Sequence, residues 1–190
     1  MKNKIYVWGP KDRPNVPTNA FKINTTSTST DFGQAFSPFM NQGTIEFHGL
    51  KSHNVENMWQ GTKTYGQYVN NYSDWKLWRD GILGDTKAHR YPMGKGARPE
   101  FSYIKSLGKL GYIDARMQIY IPIYRQKLDK FCQRQIQSVV DILTLTDVWL
   151  FDFDGYLTDR SLDEVFADPA SKAGHAFVIK QYIEDNYDKL

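Results

Sequence analysis

Between Tyr112 and Leu145 the apolar residues Ile113, Met117, Tyr120, Tyr124, Leu128, Phe131, Ile136, Val139 and Leu143 recur at intervals of mostly three and four. That spacing collects them on one face of an α-helix, and a stripe this long must be covered by other elements. Pro122 stands inside the run, where it removes a helical hydrogen bond and presses on the preceding turn, so it must kink or split the helix. A chain built around such a segment has helix–helix packing as its main route to a core. With 190 residues, 41% of them hydrophobic, there is enough material for one domain spanning residues 1–190.

The flanking segments add shorter pieces. "KIYVW", Lys4 to Trp8, is aromatic and β-branched and is stopped by Gly9-Pro10, which predicts a strand. Pro10, Pro14 and Pro17 keep the chain extended up to the polar tract of residues 24–30, "NTTSTST", which reads as an exposed loop. "AFSPFM" and "TIEFHGL" lie on either side of "NQG" and suggest a small hairpin there. Ser161 and Glu164 have the spacing of a capping box, and Asp168-Pro169 reads as a second helix start, opening a closing helix through Phe177, Ile179 and Ile183. The expected fold is mainly α and compact, with minor β near the N-terminus.

Composition narrows function only by exclusion. A single cysteine, Cys132, rules out an internal disulfide and a cysteine-based zinc cluster. His48, His53, His89 and His175 lack ligand spacing, so neither a metal nor a cofactor is expected. No apolar run reaches membrane-span length and the first ten residues carry no secretory core, so a cytoplasmic location is expected. The net charge of +3 does not announce a nucleic-acid partner, but the 15% aromatic content leans toward a flat ligand such as a base.

The chemistry concentrates in "SHNVENMWQGTKTY", residues 52–65. At about 100° per residue, Glu56, Trp59, Gln60 and Lys63 fall on one face of a helix. Val55, Met58, Thr62, Tyr65 and Val69 fall on a separate, mostly apolar arc. The polar face is either a solvated stripe or the floor of a site; Trp59 argues for cover. A lysine in a partly dry pocket can lose its proton and attack a sugar carbonyl carbon, with a glutamate moving the protons.

"VENMWQGTKTY" resembles the Glu-x-x-x-Gln-x-x-Lys helix of the NADAR (YbiA-like, DUF1768) superfamily of N-glycosidases. Neighbouring features agree in order over roughly residues 33–180. "FSPF" at 36–39 resembles the family's Phe-Ser-Asn-Phe entry, with Pro38 in place of Asn, and "FHGL" precedes the helix. "RMQIYIPIYRQKLDKF" resembles its Met-rich helix, Tyr112 and Arg116 partly meet its Trp-x-x-x-Arg, and "DVWLFDFDG" falls where an acidic motif follows. The resemblance implies a helical single-domain fold and catalysis by Glu56 and Lys63. Trp59, Gln60 and Phe36, with Asp152 or Asp154, would line the substrate cleft. It implies removal of ADP-ribose from guanine in single-stranded DNA, reversing a DarT-like toxin as an antitoxin or phage counter-defence protein. Two alternatives stay open: a YbiA-like hydrolase of riboflavin-pathway phosphoribosyl-aminopyrimidines, and a binding module for ADP-ribose or nucleic acid without turnover.

Two further motifs compete for attention. "WLFDFDGYLTD" resembles the nucleophile loop of haloacid-dehalogenase phosphatases, but that loop follows the first strand of a large sheet, and only 36 residues follow Asp154 here. "KAHRYPMGKGARPE", residues 87–100, groups Lys87, Arg90, Lys95 and Arg98 around two glycines. It lacks P-loop spacing, yet Arg90 and Arg98 could contact a diphosphate or a DNA backbone; an ordinary basic surface loop is the alternative.

Overall fold

A computed structural model describes residues 3 to 187; residues 1–2 and 188–190, included in the single-domain reading, lie outside the described residues. Among these residues there are seven α-helices and eight strands in three small sheets, with 45% helix and 15% strand. The fold is therefore mixed α/β, which corrects the mainly-α expectation and the helical fold implied by the resemblance. Strand pairing is not confined to the N-terminus. The chain divides into two compact units: Met1–Pro38 with Leu128–Leu190, and Phe39–Lys127.

The first unit is organised by a parallel sheet of β1 (Ile5–Trp8), β8 (Val148–Phe151) and β2 (Phe21–Asn24), with β8 in the centre. "VWLF" is a run of four apolar residues without alternation, as a strand buried on both faces requires. Period-two geometry puts Ile5, Val7, Ile23, Val148 and Leu150 on one face and Tyr6, Trp8, Trp149 and Phe151 on the other. On the aromatic face Tyr6 stacks on Trp149 with ring centroids 4.4 Å apart. Two helices pack on the sheet: α5 (Gln133–Leu143) buries Ile136, Val139, Val140 and Leu143, and α7 (His175–Asn186) buries Val178, Ile179 and Ile183.

Three local expectations change in this unit. The prolines start a 3-10 turn, Pro10–Asn15, rather than an extended run. In the polar tract Thr25, Thr26 and Ser29 are buried, and their hydroxyls donate to the Phe151 carbonyl, the Asn24 side-chain amide and the Asp31 carboxylate. The capping box of Ser161 and Glu164 forms and starts α6 (Leu162–Ala167). Asp168, however, starts no helix. Its carboxylate accepts from Ala170 N, Ser171 Oγ and the Arg160 guanidinium, closing a turn, and α7 begins only at His175.

In the second unit β3 (Ile45–Phe47) and β4 (Leu50–Ser52) form a hairpin. Its turn is His48-Gly49, both at positive φ (50° and 78°), which is the geometry a two-residue hairpin loop demands, rather than the expected "NQG". Asn54 caps α1 (Val55–Gly61) by accepting from Asn57 N at 2.8 Å. The helix stops well before the expected Val69, because Thr62 turns the chain and Lys63–Thr64 become β5, pairing with β6 (Phe101–Ile104), which also pairs with β7 (Gly108–Leu110). Between β5 and β6 runs α2 (Tyr72–Gly84). The long periodic run stays helical past Pro122, departing from α geometry only in the turn before it, and is interrupted at Cys132. After α3 (Tyr112–Ala115) comes a π turn, Arg116–Tyr120, in which Ile121 N donates to Arg116 O five residues back. That wider turn accommodates the Pro122 ring at the start of α4 (Ile121–Phe131). No helix among the described residues is long and apolar enough to cross a membrane.

Candidate active site

Every residue of α1 is buried, including the polar ones. The Glu-Trp-Gln-Lys face is therefore not a solvated stripe, and its polar groups must find partners within the protein. They form a chain. Gln60 Nε2 donates to Glu56 Oε1 at 2.8 Å, one helical turn below, and Gln60 Oε1 accepts from Lys63 Nζ at 2.9 Å. Lys63 has left the helix for β5, but its side chain folds back along α1, with Nζ 4.6 Å from the centre of the Trp59 ring. Trp59 itself packs edge-on against Tyr120 of the π turn at 5.5 Å. Behind Lys63, its backbone carbonyl accepts from Trp75 Nε1 at 2.9 Å.

Electrostatics follow from this burial. Loss of water around Lys63 disfavours its charged form and outweighs the attraction of Glu56, lowering its pKa from 10.5 to about 8. A tenth or so of the amine is then neutral near pH 7, far more than an exposed lysine offers. Burial, and next the charge of Glu56, push the Tyr65 phenol upward, so it stays protonated. Met58 and Tyr65 are both buried, as the apolar arc predicted.

The same helix holds the basic loop. Gln60 Nε2 also donates to Arg90 O at 3.0 Å. Asn57, fully buried one residue beyond Glu56, donates to Asp85 O (2.9 Å) and Lys87 O (2.8 Å) and accepts from His89 N (2.8 Å). At the far end Glu100 N donates to Thr64 O at 2.8 Å. The side chains of Arg90, Lys95 and Arg98 are exposed, and Gly94 and Gly96 take positive φ at the loop tip.

The remaining expected site residues lie in the first unit. Phe36 is fully buried there, at the end of a 3-10 turn. Asp154 is paired with Lys172 at 2.9 Å. Asp152 sits just past β8, and its oxygens are taken up by the protein: Oδ1 accepts from Asp154 N, and Oδ2 accepts from Ala176 N and His175 Nδ1. Burial pushes this carboxyl up, but the His175 ring and those backbone N–H groups outweigh it and hold the pKa at about 2. That leaves Asp152 little capacity to orient a ribose hydroxyl. Sequence reasoning missed Asn57 and the Asp152–His175 pair. An asparagine inside a helix, next to Glu56 and followed by the apolar pair Met58-Trp59, was the available signal for the first.

A family model described as "Family of unknown function (DUF6939)" matches residues 14–179, which is 166 of the 190 residues. The chain belongs to DUF6939. No curated protein and no solved structure matches it. The matched span of this DUF6939 chain contains α1, β5 and the whole basic loop.

Proposed function

We propose that this chain is an N-glycosidase that removes ADP-ribose from an ADP-ribosylated guanine in DNA, reversing a toxin-type modification. The observation that carries the reading is the buried Glu56–Gln60–Lys63 chain, in which a carboxylate and a depressed lysine amine are joined through one amide. Lys63 attacks C1 of the ribose as the glycosidic bond breaks, giving a Schiff base once the ring opens, and Glu56 supplies and recovers the protons. Trp59 covers the amine. Arg90 and Arg98, with Lys95, meet the phosphates. The likeness of this spacing to the NADAR motif supplies the substrate class. Charge distribution favours it too: the second unit carries thirteen Lys and Arg against seven Asp and Glu, a net +6, against +3 for the whole chain.

The test is release of free ADP-ribose from ADP-ribosylated single-stranded DNA by the purified protein. Binding of ADP-ribose without release would assign a binding module instead. Glu56→Gln is expected to slow release by roughly 10²- to 10⁴-fold, the usual contribution of a positioned acid–base group, measured under single-turnover conditions. An unchanged rate would remove Glu56 from the mechanism. Replacing Arg90, Lys95 and Arg98 together by alanine is expected to flatten the salt dependence of substrate binding, because fewer counterions are released. A slope equal to that of the wild type would return the loop to ordinary surface.

A further inference from the structure

The basic segment is fastened at both ends around Lys63. Its first half, from Asp85 to Arg90, is tied to α1 by four hydrogen bonds: Asn57 donates two and accepts one, and Gln60 donates one. Its last residue, Glu100, is tied by its backbone N–H to Thr64, the residue after Lys63. The untied stretch, residues 91–99, leaves next to Gln60 and returns next to Thr64, so its two feet stand on either side of Lys63 in sequence. The Gln60 amide that receives the Lys63 amine is the same amide that holds the Arg90 carbonyl. An added Cβ at Gly94 or Gly96 would meet nothing within 4 Å, so both glycines border open space. A fully buried asparagine with three bonds to one segment is costly to leave unpaired. Its partners are all on that segment, which is otherwise without helix or strand.

We propose that Asn57 is a positioning residue that holds segment 85–100 as a strap beside Lys63, and that the strap presents Arg90, Lys95, Arg98 and its two-glycine tip to a phosphate-bearing ligand. This rests on the Lys63 site described above, but not on turnover there. The strap has the composition for such a ligand: guanidinium and ammonium groups for charge, and glycines that let backbone N–H groups approach an anion. Asn57 touches no reacting atom. It acts by fixing where the strap's first foot stands, and therefore how much water reaches the Lys63 amine.

Two measurements on the full chain test this without any glycosidase assay. The first is amide hydrogen exchange across residues 85–100 together with the pH profile of Lys63 labelling by trinitrobenzenesulfonate, read by peptide mass spectrometry. Asn57→Ala removes the three Asn57 bonds to the strap, leaves those from Gln60 and Asn54 in place, and changes no charge. Glu56 on α1, Tyr65 beyond β5, Arg79 on α2, and Arg90, Lys95, Arg98 and Glu100 on the strap all remain. Exchange over the strap should rise roughly tenfold or more while α5 keeps its protection, since the bonds that hold its first half are gone. The labelling midpoint should move up by about one pH unit, as a hydrated amine titrates higher. Asn57→Asp, which keeps the acceptor for His89 N, should restore part of the strap's protection. Unchanged exchange in Asn57→Ala, or freer exchange with an unmoved midpoint, would overturn the assignment. The second measurement uses the wild-type protein with inorganic pyrophosphate, so it holds even if Asn57→Ala fails to fold. Pyrophosphate should slow exchange over residues 91–99 and slow Lys63 labelling severalfold, both lost at high salt. No effect on either would overturn the ligand class. Failure here with ADP-ribose still released would leave the glycosidase reading standing, and the reverse pattern would leave the strap standing.

Discussion

Lys63→Arg is expected to abolish ADP-ribose release while leaving ligand binding within a fewfold of the wild type. Arginine keeps a positive charge beside Trp59 and can still donate to Gln60, but its guanidinium does not deprotonate in a protein and cannot form an imine. The loss should therefore appear in the chemical step, as at least roughly 10⁴-fold in single-turnover rate, with little change in the dissociation constant. The wild-type rate should climb with pH as the amine loses its proton, levelling above the lowered pKa of about 8. The same group couples stability to pH. Its folded pKa lies below the ordinary 10.5, so the unfolded chain holds one more proton between about 8 and 10.5, and this contribution to stability rises with pH across that window. Lys63→Met, which removes the buried charge, should accordingly stabilise the fold near pH 7, by at most roughly 3 kcal/mol. Full activity in Lys63→Arg would exclude the Schiff-base route.

The second large effect lies in the other unit. His175 Nδ1 faces the Asp152 carboxylate at 2.9 Å, and its Nε2 faces the carbonyl oxygen of Thr25 at 2.8 Å. Both are acceptors, so a ring protonated at both nitrogens satisfies both contacts, and its charge is what chiefly offsets the burial of Asp152. The Thr25 hydroxyl lies 2.9 Å from Nε2 but spends its hydrogen on Phe151 O. The arrangement has the residues of a catalytic triad without its chemistry, because a doubly protonated ring cannot take a proton from threonine. It is a buried ion pair that fastens α7 to the ends of β2 and β8. Gly174 fits the same packing: an added Cβ there would fall 2.3 Å from Asp152 Oδ2. Asp152→Asn leaves the imidazolium buried without its counter-charge and should cost about 3–5 kcal/mol, lowering the melting temperature by roughly 10 °C. Because the folded carboxyl is held near 2, below its ordinary 3.8, the stabilisation is complete above pH 4 and is lost as pH falls toward 2. The variant should lack that acid-dependent step in chemical denaturation. A melting temperature within a degree or two of the wild type would show that the pair contributes nothing.

What could be read from the residues follows the range of the interactions involved. Glu56, Trp59, Gln60 and Lys63 do come together, although Lys63 reaches the group from a strand. Side chains three and four positions apart stay close for as long as the first part of the segment is helical. The Ser161 capping box and the π turn before Pro122 are likewise local. The parallel sheet was not legible: β1 and β8 are four residues each and more than a hundred positions apart, with no turn between them to mark the pairing. "VWLF" alone is too short to tell from helix. The polar tract misled because Thr25 and Ser29 are satisfied inside the protein by partners that cannot be seen from neighbouring residues. His175 and Asp152, 23 positions apart, give no pattern in one dimension. The helix ends at Gly61 because pairing of Lys63–Thr64 with Phe101–Ser102 wins over helical spacing.

The most direct measurement of the central claim is borohydride reduction during turnover. ADP-ribosylated single-stranded DNA is mixed with the wild-type protein and cyanoborohydride, and the digest is read by mass spectrometry. A ribose-linked adduct on Lys63 is expected, absent in Lys63→Arg and absent with unmodified DNA. ADP-ribose released at the full rate with no adduct on any lysine would contradict the Schiff-base route through Lys63, as would an adduct confined to a lysine other than Lys63.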